Sequence, residues 1–156
     1  MIYLILTLAI SALSAPLIYL LGKRSDKIAS LILSITLLVN LSLILLTIPT
    51  ILADGMYVES YYWIPTLGSH FTLFVDGISL SMAIVTLILC LAATVYSTKY
   101  FESGIDSSYY AFVSLLVVGL VGVFITSNLL AFYFFWELMI IPSYFIIARW
   151  GYHDAH

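Results

Sequence analysis

Glu137 is the residue of this sequence best placed to do chemistry. It stands nine residues into an apolar run over residues 129–148. At the helical rise that is roughly 12 Å from the run's start, close to a bilayer midplane. An ionised side chain there costs at least ~2.5–3.5 kcal/mol on insertion scales, so the group must be neutralised, paired or hydrated in a protein cavity. A carboxyl held between desolvation, which favours the neutral acid, and a neighbouring cation, which favours the anion, can load and release a proton. Tyr133 at i−4 and Tyr144 at i+7 fall on the same helical face as Glu137, so a polar stripe crosses an apolar helix. Pro142 removes the amide that would bond the carbonyl of Leu138, which leaves an acceptor where water can bind. The residues also allow a second reading, in which Glu137 is an interhelical hydrogen-bonding group without a transport role. In that reading Tyr133 and Tyr144 pack with their hydroxyls on backbone carbonyls.

Other residues with chemical potential read mainly as structure. Asn40 is expected to bond between helices, Asp76 to cap a helix, and Gly119 and Gly122, with Thr126 a turn beyond, to let another helix approach closely. Cys90 is single and sits in an apolar run, which excludes an intrachain disulfide and a cysteine-based metal or iron–sulfur site. His153, Asp154 and His156 could bind a metal but read better as a solvated tail. No phosphate-binding glycine loop, haem ligand pair or nucleophilic triad is present.

The elements that must position Glu137 follow from composition. Apolar residues make up 63% of the 156 positions and charged residues 8%, against roughly a quarter charged in globular proteins, so the bilayer is the solvent. The fold expected is an all-α polytopic membrane protein with five spans, about 2–21, 28–53, 77–98, 109–125 and 129–148, in a single domain. Pro16 and Pro49 are expected to bend the first two. Residues 54–76, rich in aromatics and turn formers, read as an external interfacial loop with short extended pieces. The short turn Thr126-Ser127-Asn128 makes the last two spans an antiparallel hairpin. Ala12-Leu13-Ser14 faintly resembles a cleavage site, but the apolar run continues to Leu21, so the first segment is expected to remain as a span. Placing the N-terminus outside and the C-terminus in the cytoplasm puts Lys23, Arg24, Lys27, Lys99 and Arg149 all inside.

Phe134-Phe135-Trp136-Glu137-Leu138-Met139-Ile140-Ile141-Pro142, with Tyr144-Phe145 and Trp150-Gly151, resembles the fifth-helix signature of the antiporter-like, NuoM-type membrane subunits of complex I (NADH-quinone oxidoreductase). Phe74-Val75-Asp76-Gly77-Ile78-Ser79-Leu80 resembles the segment that opens their third helix. Multi-subunit sodium/proton (Mrp) antiporters and membrane-bound hydrogenases use related subunits. The resemblance implies a fold of about fourteen helices in inverted repeats, of which this sequence matches the first five. It also implies that Glu137 is a proton-channel glutamate paired with a lysine on a later, broken helix. No lysine of this sequence lies within an expected span, so a complete proton path is not contained in it.

The function expected is that of a proton-translocating membrane-arm subunit, or the N-terminal part of one, not catalytic alone. Its expected site is Glu137 as relay with Tyr133 and Tyr144 in support, without a metal. No cofactor is expected on this chain, and redox cofactors are expected in partner subunits. The partners expected are other membrane subunits, including later helices or an adjacent antiporter-like subunit, and the lipid bilayer, with no nucleic acid. The setting expected is an energy-conserving membrane, either a prokaryotic plasma membrane or a mitochondrial inner membrane. The alternatives are a subunit of a sodium/proton antiporter or membrane-bound hydrogenase and, in another class, a small structural or assembly protein.

Overall fold

A computed structural model describes residues 1–101 and 105–151; His153, Asp154 and His156 lie outside the described residues. The elements in chain order are α1 (Tyr3–Gly22), α2 (Asp26–Leu45), α3 (Ile48–Asp54), β1 (Tyr57–Ile64), β2 (Ser69–Val75), α4 (Gly77–Tyr100), α5 (Ser107–Ile125) and α6 (Leu129–Trp150). Counting α2 with α3, five helical segments among the described residues are long and apolar enough to cross a membrane. The core is formed where α5 packs against α1, α4 and α6, and α2 fills the space between α1 and α4. Leu4, Ile18, Leu33, Leu37, Val117, Val121 and Ile125 meet there, all almost fully enclosed.

The expected second helix divides in two, for a reason the sequence contains. Pro49 has no N–H to offer the carbonyl four residues back, so the α-helical ladder stops at Leu45. The amide and hydroxyl of Thr47 both turn back to the carbonyl of Ile44, at 3.1 and 2.7 Å, and tighten the turn before α3 begins.

Residues 54–76 are more ordered than a loop with extended pieces. They form an antiparallel hairpin in which Tyr57 pairs with Val75 and Tyr62 with His70, with an irregularity between Tyr62 and Ile64. Gly68, at φ 59°, provides the left-handed residue that the tip requires. The hairpin roofs one end of the bundle: Ser127 N–H donates to the Thr72 carbonyl at 3.1 Å, and Asn128 Nδ2 donates to Ser69 Oγ at 2.8 Å. Asn128 Oδ1 meanwhile caps α6 by accepting from the Leu130 and Ala131 amides. Asp76 caps α4 in the same way, and the Ser79 amide, 2.8 Å away, holds its carboxyl below its ordinary range.

Glu59 is the residue that sequence reasoning missed. Strand alternation turns it inward, where it is 4% exposed. Its carboxylate accepts from the Leu4 and Ile5 amides at 2.8 and 3.0 Å and from the Tyr57 and Tyr61 hydroxyls at 2.8 and 2.9 Å. The first amides of α1 have no partner within their own helix, and an anion at this end also meets the favourable pole of the helix dipole. Burial first, then the bond to Glu59, raises both tyrosines, with Tyr61 pushed up to about 12. Because the folded values lie above the ordinary value near 10, the stability they contribute is complete below pH 10. It is lost as pH rises from there through 12. Glu59→Gln replaces an acceptor with an NH₂ group facing donors, and should cost ~1–3 kcal/mol at this end. Hydrogen exchange at the Leu4 and Ile5 amides measures it; unchanged protection would mean the carboxylate only fills space.

Candidate functional site on the open face of α6

One side of α6 is committed to packing. Ala131, Phe135, Leu138 and Pro142, spaced four, three and four residues apart, turn toward the core; the first two and Pro142 are buried and Leu138 packs on the core's edge. The contact is close because α5 offers glycines. A Cβ at Gly119 would stand 2.5 Å from the Met139 amide nitrogen and 2.9 Å from the Leu138 carbonyl carbon. A Cβ at Gly122 would strike the Phe135 ring. Phe112 stacks on Phe145 with ring centroids 5.3 Å apart, and Tyr109 meets Trp150 edge-on at 5.5 Å, which fixes the rotation of α6 near its other end.

That rotation places Glu137 on the side turned away from the bundle. Tyr133 is 61% exposed and Tyr144 66%, so the three sequence-predicted residues share a face that the described residues leave largely open. Phe134, Ile140 and Ile141 flank them and are exposed as well. Glu137 itself is half-buried. Its carboxylate makes no ion pair among the described residues, and the Tyr133 hydroxyl is its polar neighbour. The site is thus a carboxyl at mid-span, with a tyrosine one turn away on one side and another two turns away on the other, and it faces outward.

Asn40 is elsewhere. It is fully buried between α1, α2 and α5, where its Nδ2 donates to Ser11 Oγ, as an interhelical role requires. Ser14 and Ser114 hydroxyls lie 2.6 Å apart beside it, and Ser114 donates to the Ser11 carbonyl at 2.7 Å. Asn40 Oδ1 has no partner among the described residues. The three serines were not singled out by the sequence, since a serine in a span ordinarily bonds its own helix and signals nothing. This polar knot is enclosed inside the bundle, whereas Glu137 lies on the outward side of α6; they share no hydrogen bond among the described residues and do not form one site. Among the described residues no cluster of metal-ligating side chains occurs.

No family model matches the chain. It is similar to NADH-quinone oxidoreductase subunit M of Escherichia coli (strain K12), with 38% identity over 93 residues, which is 60% of this chain and 18% of that protein. It is also similar to a Na(+)/H(+) antiporter component of Alkalihalophilus pseudofirmus, with 30% identity over 102 residues, 64% of this chain and 13% of that protein. The chain therefore spans less than a fifth of the length of either relative. Its fold matches a chain in the structure of the Mrp complex from Dietzia sp., with a TM-score of 0.79 and 24% identity over 94% of this chain and 16% of that one. In sequence the chain is thus similar, over 60% and 64% of its length, to an NADH-quinone oxidoreductase subunit and a Na(+)/H(+) antiporter component, and in fold to a chain of an Mrp complex.

Proposed function

We propose that the chain supplies a proton-binding station to an ion-translocating membrane assembly of the complex I kind, and that Glu137 is the group that loads and releases the proton. The observation that carries this reading is a half-buried mid-span carboxyl on the face of α6 turned away from the packed core, between the exposed Tyr133 and Tyr144. A carboxyl turned to lipid would remain a permanent cost, whereas the same carboxyl beside a cation on another helix would exchange its proton. Tyr133 and Tyr144 extend the polar face along α6 and support the relay. The cation, and the redox cofactors that drive the process, belong to other helices and subunits of the assembly. The assembly sits in an energy-conserving membrane, for which a prokaryotic plasma membrane is the setting inferred from the bacterial relatives. The test is Glu137→Gln in the assembled complex, read as ion translocation at matched assembly and matched electron transfer.

The similarity to an antiporter component favours a second reading in which the same carboxyl serves sodium/proton exchange. Ion movement that depends on a sodium gradient rather than on a quinone would select it.

The orientation inferred is N-terminus outside. The α1–α2 turn, the end of α4 and the end of α6 bring Lys23, Arg24, Lys27, Lys99 and Arg149 to one end, opposite the hairpin, and bases concentrate on the cytoplasmic side. On a Cys90→Ala background an impermeant thiol reagent applied outside should label Thr66→Cys and leave Arg24→Cys unlabelled. The reverse pattern would invert the topology.

A further inference from the structure

We propose that the basic end of the bundle holds an anionic phospholipid, with an acyl chain in the groove between α1 and α5 and its phosphate among Lys23, Arg24 and Arg149. The groove has a volume of about 510 Å³ and is walled by Ala15, Pro16 and Tyr19 of α1 and by Ala111, Phe112 and Leu115 of α5. It exists because small residues face each other: Ala15 and Ala111 leave the space that larger side chains would fill. From Ser108 at its mouth to Leu115 at its floor are seven residues, a depth of roughly 10 Å at the helical rise.

The mouth of this apolar groove is cationic. Arg149 lines it and bonds Asp106 at 3.0 Å, with its side chain 60% exposed. One guanidinium nitrogen makes that bond, and the remaining N–H groups stay available to a phosphate. Tyr19, on the groove wall, carries Lys23 Nζ over its ring at 4.6 Å. A second, polar cavity of about 410 Å³ adjoins, lined by Lys23, Arg24, Asp106 and Ser107. Asp106 borders this cavity while bonded to the groove's Arg149, and Lys23 borders it while stacked on the groove's Tyr19, so the two spaces meet at the cations. Five bases gather at this end against Asp26 and Asp106 among the described residues. An apolar slot that opens on a cluster of cations at a membrane interface matches one amphiphile, an acyl chain with an anionic head. A zwitterionic lipid would bring its own ammonium against Lys23 and Arg24. This inference does not depend on the role of Glu137.

The experiment is competitive lipid retention by the full chain in its native assembly, with phosphatidylglycerol and phosphatidylcholine as probes and native mass spectrometry as readout. Each cation near the phosphate contributes about fivefold in affinity, so phosphatidylglycerol should be retained at least ~10-fold over phosphatidylcholine, with the preference shrinking as salt screens it. The triple variant Lys23→Gln/Arg24→Gln/Arg149→Gln should lose the preference. Ala111→Phe, and the milder Ala111→Leu, fill the groove without touching a charge and should lower retention of both lipids. Equal retention of the two lipids by the parent chain would overturn the proposal. So would retention unchanged by groove filling, displacement of the lipid by an equal concentration of inorganic phosphate, or a protein helix found seated in the groove.

Discussion

Glu137→Gln is expected to assemble normally and to translocate at least ~10-fold fewer protons than the parent at the same electron-transfer rate. Glutamine keeps the size of the side chain and its ability to hydrogen-bond but cannot titrate, and a positioned proton-transfer group contributes typically ~10²–10⁴-fold. The residual would come from water bypassing the site. Glu137→Asp retains the acid and shortens its reach by one methylene, so it should fall between the two. Tyr133→Phe, which removes only a neighbouring hydroxyl, should do less than either. Acidification of sealed vesicles, normalised to quinone reduction, reads all three. Pumping by Glu137→Gln equal to that of the parent would reduce Glu137 to a buried contact with a neighbouring helix.

Gly119→Ala and Gly122→Ala should both weaken the α5–α6 contact, but for different reasons that a second substitution separates. At Gly122 the added methyl meets the Phe135 ring, and Phe135→Leu reopens the space. At Gly119 it meets the backbone of Leu138 and Met139, which no rotamer can move, so the helices must part. Overpacking of this kind costs typically ~1–3 kcal/mol, with Gly119→Ala at the upper end. Thermal unfolding of the assembled protein in detergent should show Phe135→Leu rescuing Gly122→Ala and not Gly119→Ala. Since Leu138 adjoins Glu137, Gly119→Ala should also impair translocation in the fraction that assembles. Wild-type stability for Gly119→Ala would mean that the two backbones do not meet as closely as described.

The five spans were legible because a membrane span needs only length and apolarity, and both are written locally. The N-cap at Asp76 was legible for the same reason, since it depends on residues within a turn; Gly119 and Gly122 marked a face open to close approach, while the Phe135 ring and the Leu138 and Met139 backbone that meet it belong to the next helix. Glu137, Tyr133 and Tyr144 were placed on one face by helical spacing alone, and the structure adds that the face is the one left largely open. That depended on where α5 docks, which no window of sequence contains. The hairpin was only partly legible, since Tyr61, Tyr62 and Trp63 blur the alternation that identifies a strand. Glu59 was illegible because a charged residue in an interfacial segment is normally solvated. Its partners at Leu4 and Ile5 lie 55 and 54 residues away. The Ser11–Asn40–Ser114 knot failed for a related reason, as only its asparagine is unusual enough in a span to draw notice.

The same knot has a consequence for synthesis. Ser14 and Ser114, which bond each other, are separated by 100 residues. At ~5–20 residues per second a ribosome takes about 5–20 seconds to travel between them. For most of that interval α1 and α2 are already made, with the Ser14 hydroxyl and the Ser11 carbonyl short of the Ser114 hydroxyl that α5 will bring. The early pair is therefore an incomplete intermediate for as long as translation dictates. Slowing elongation between α2 and α5 lengthens its exposure to membrane proteases, so the yield of mature protein should depend on codon speed in that stretch more than in the stretch that encodes α6.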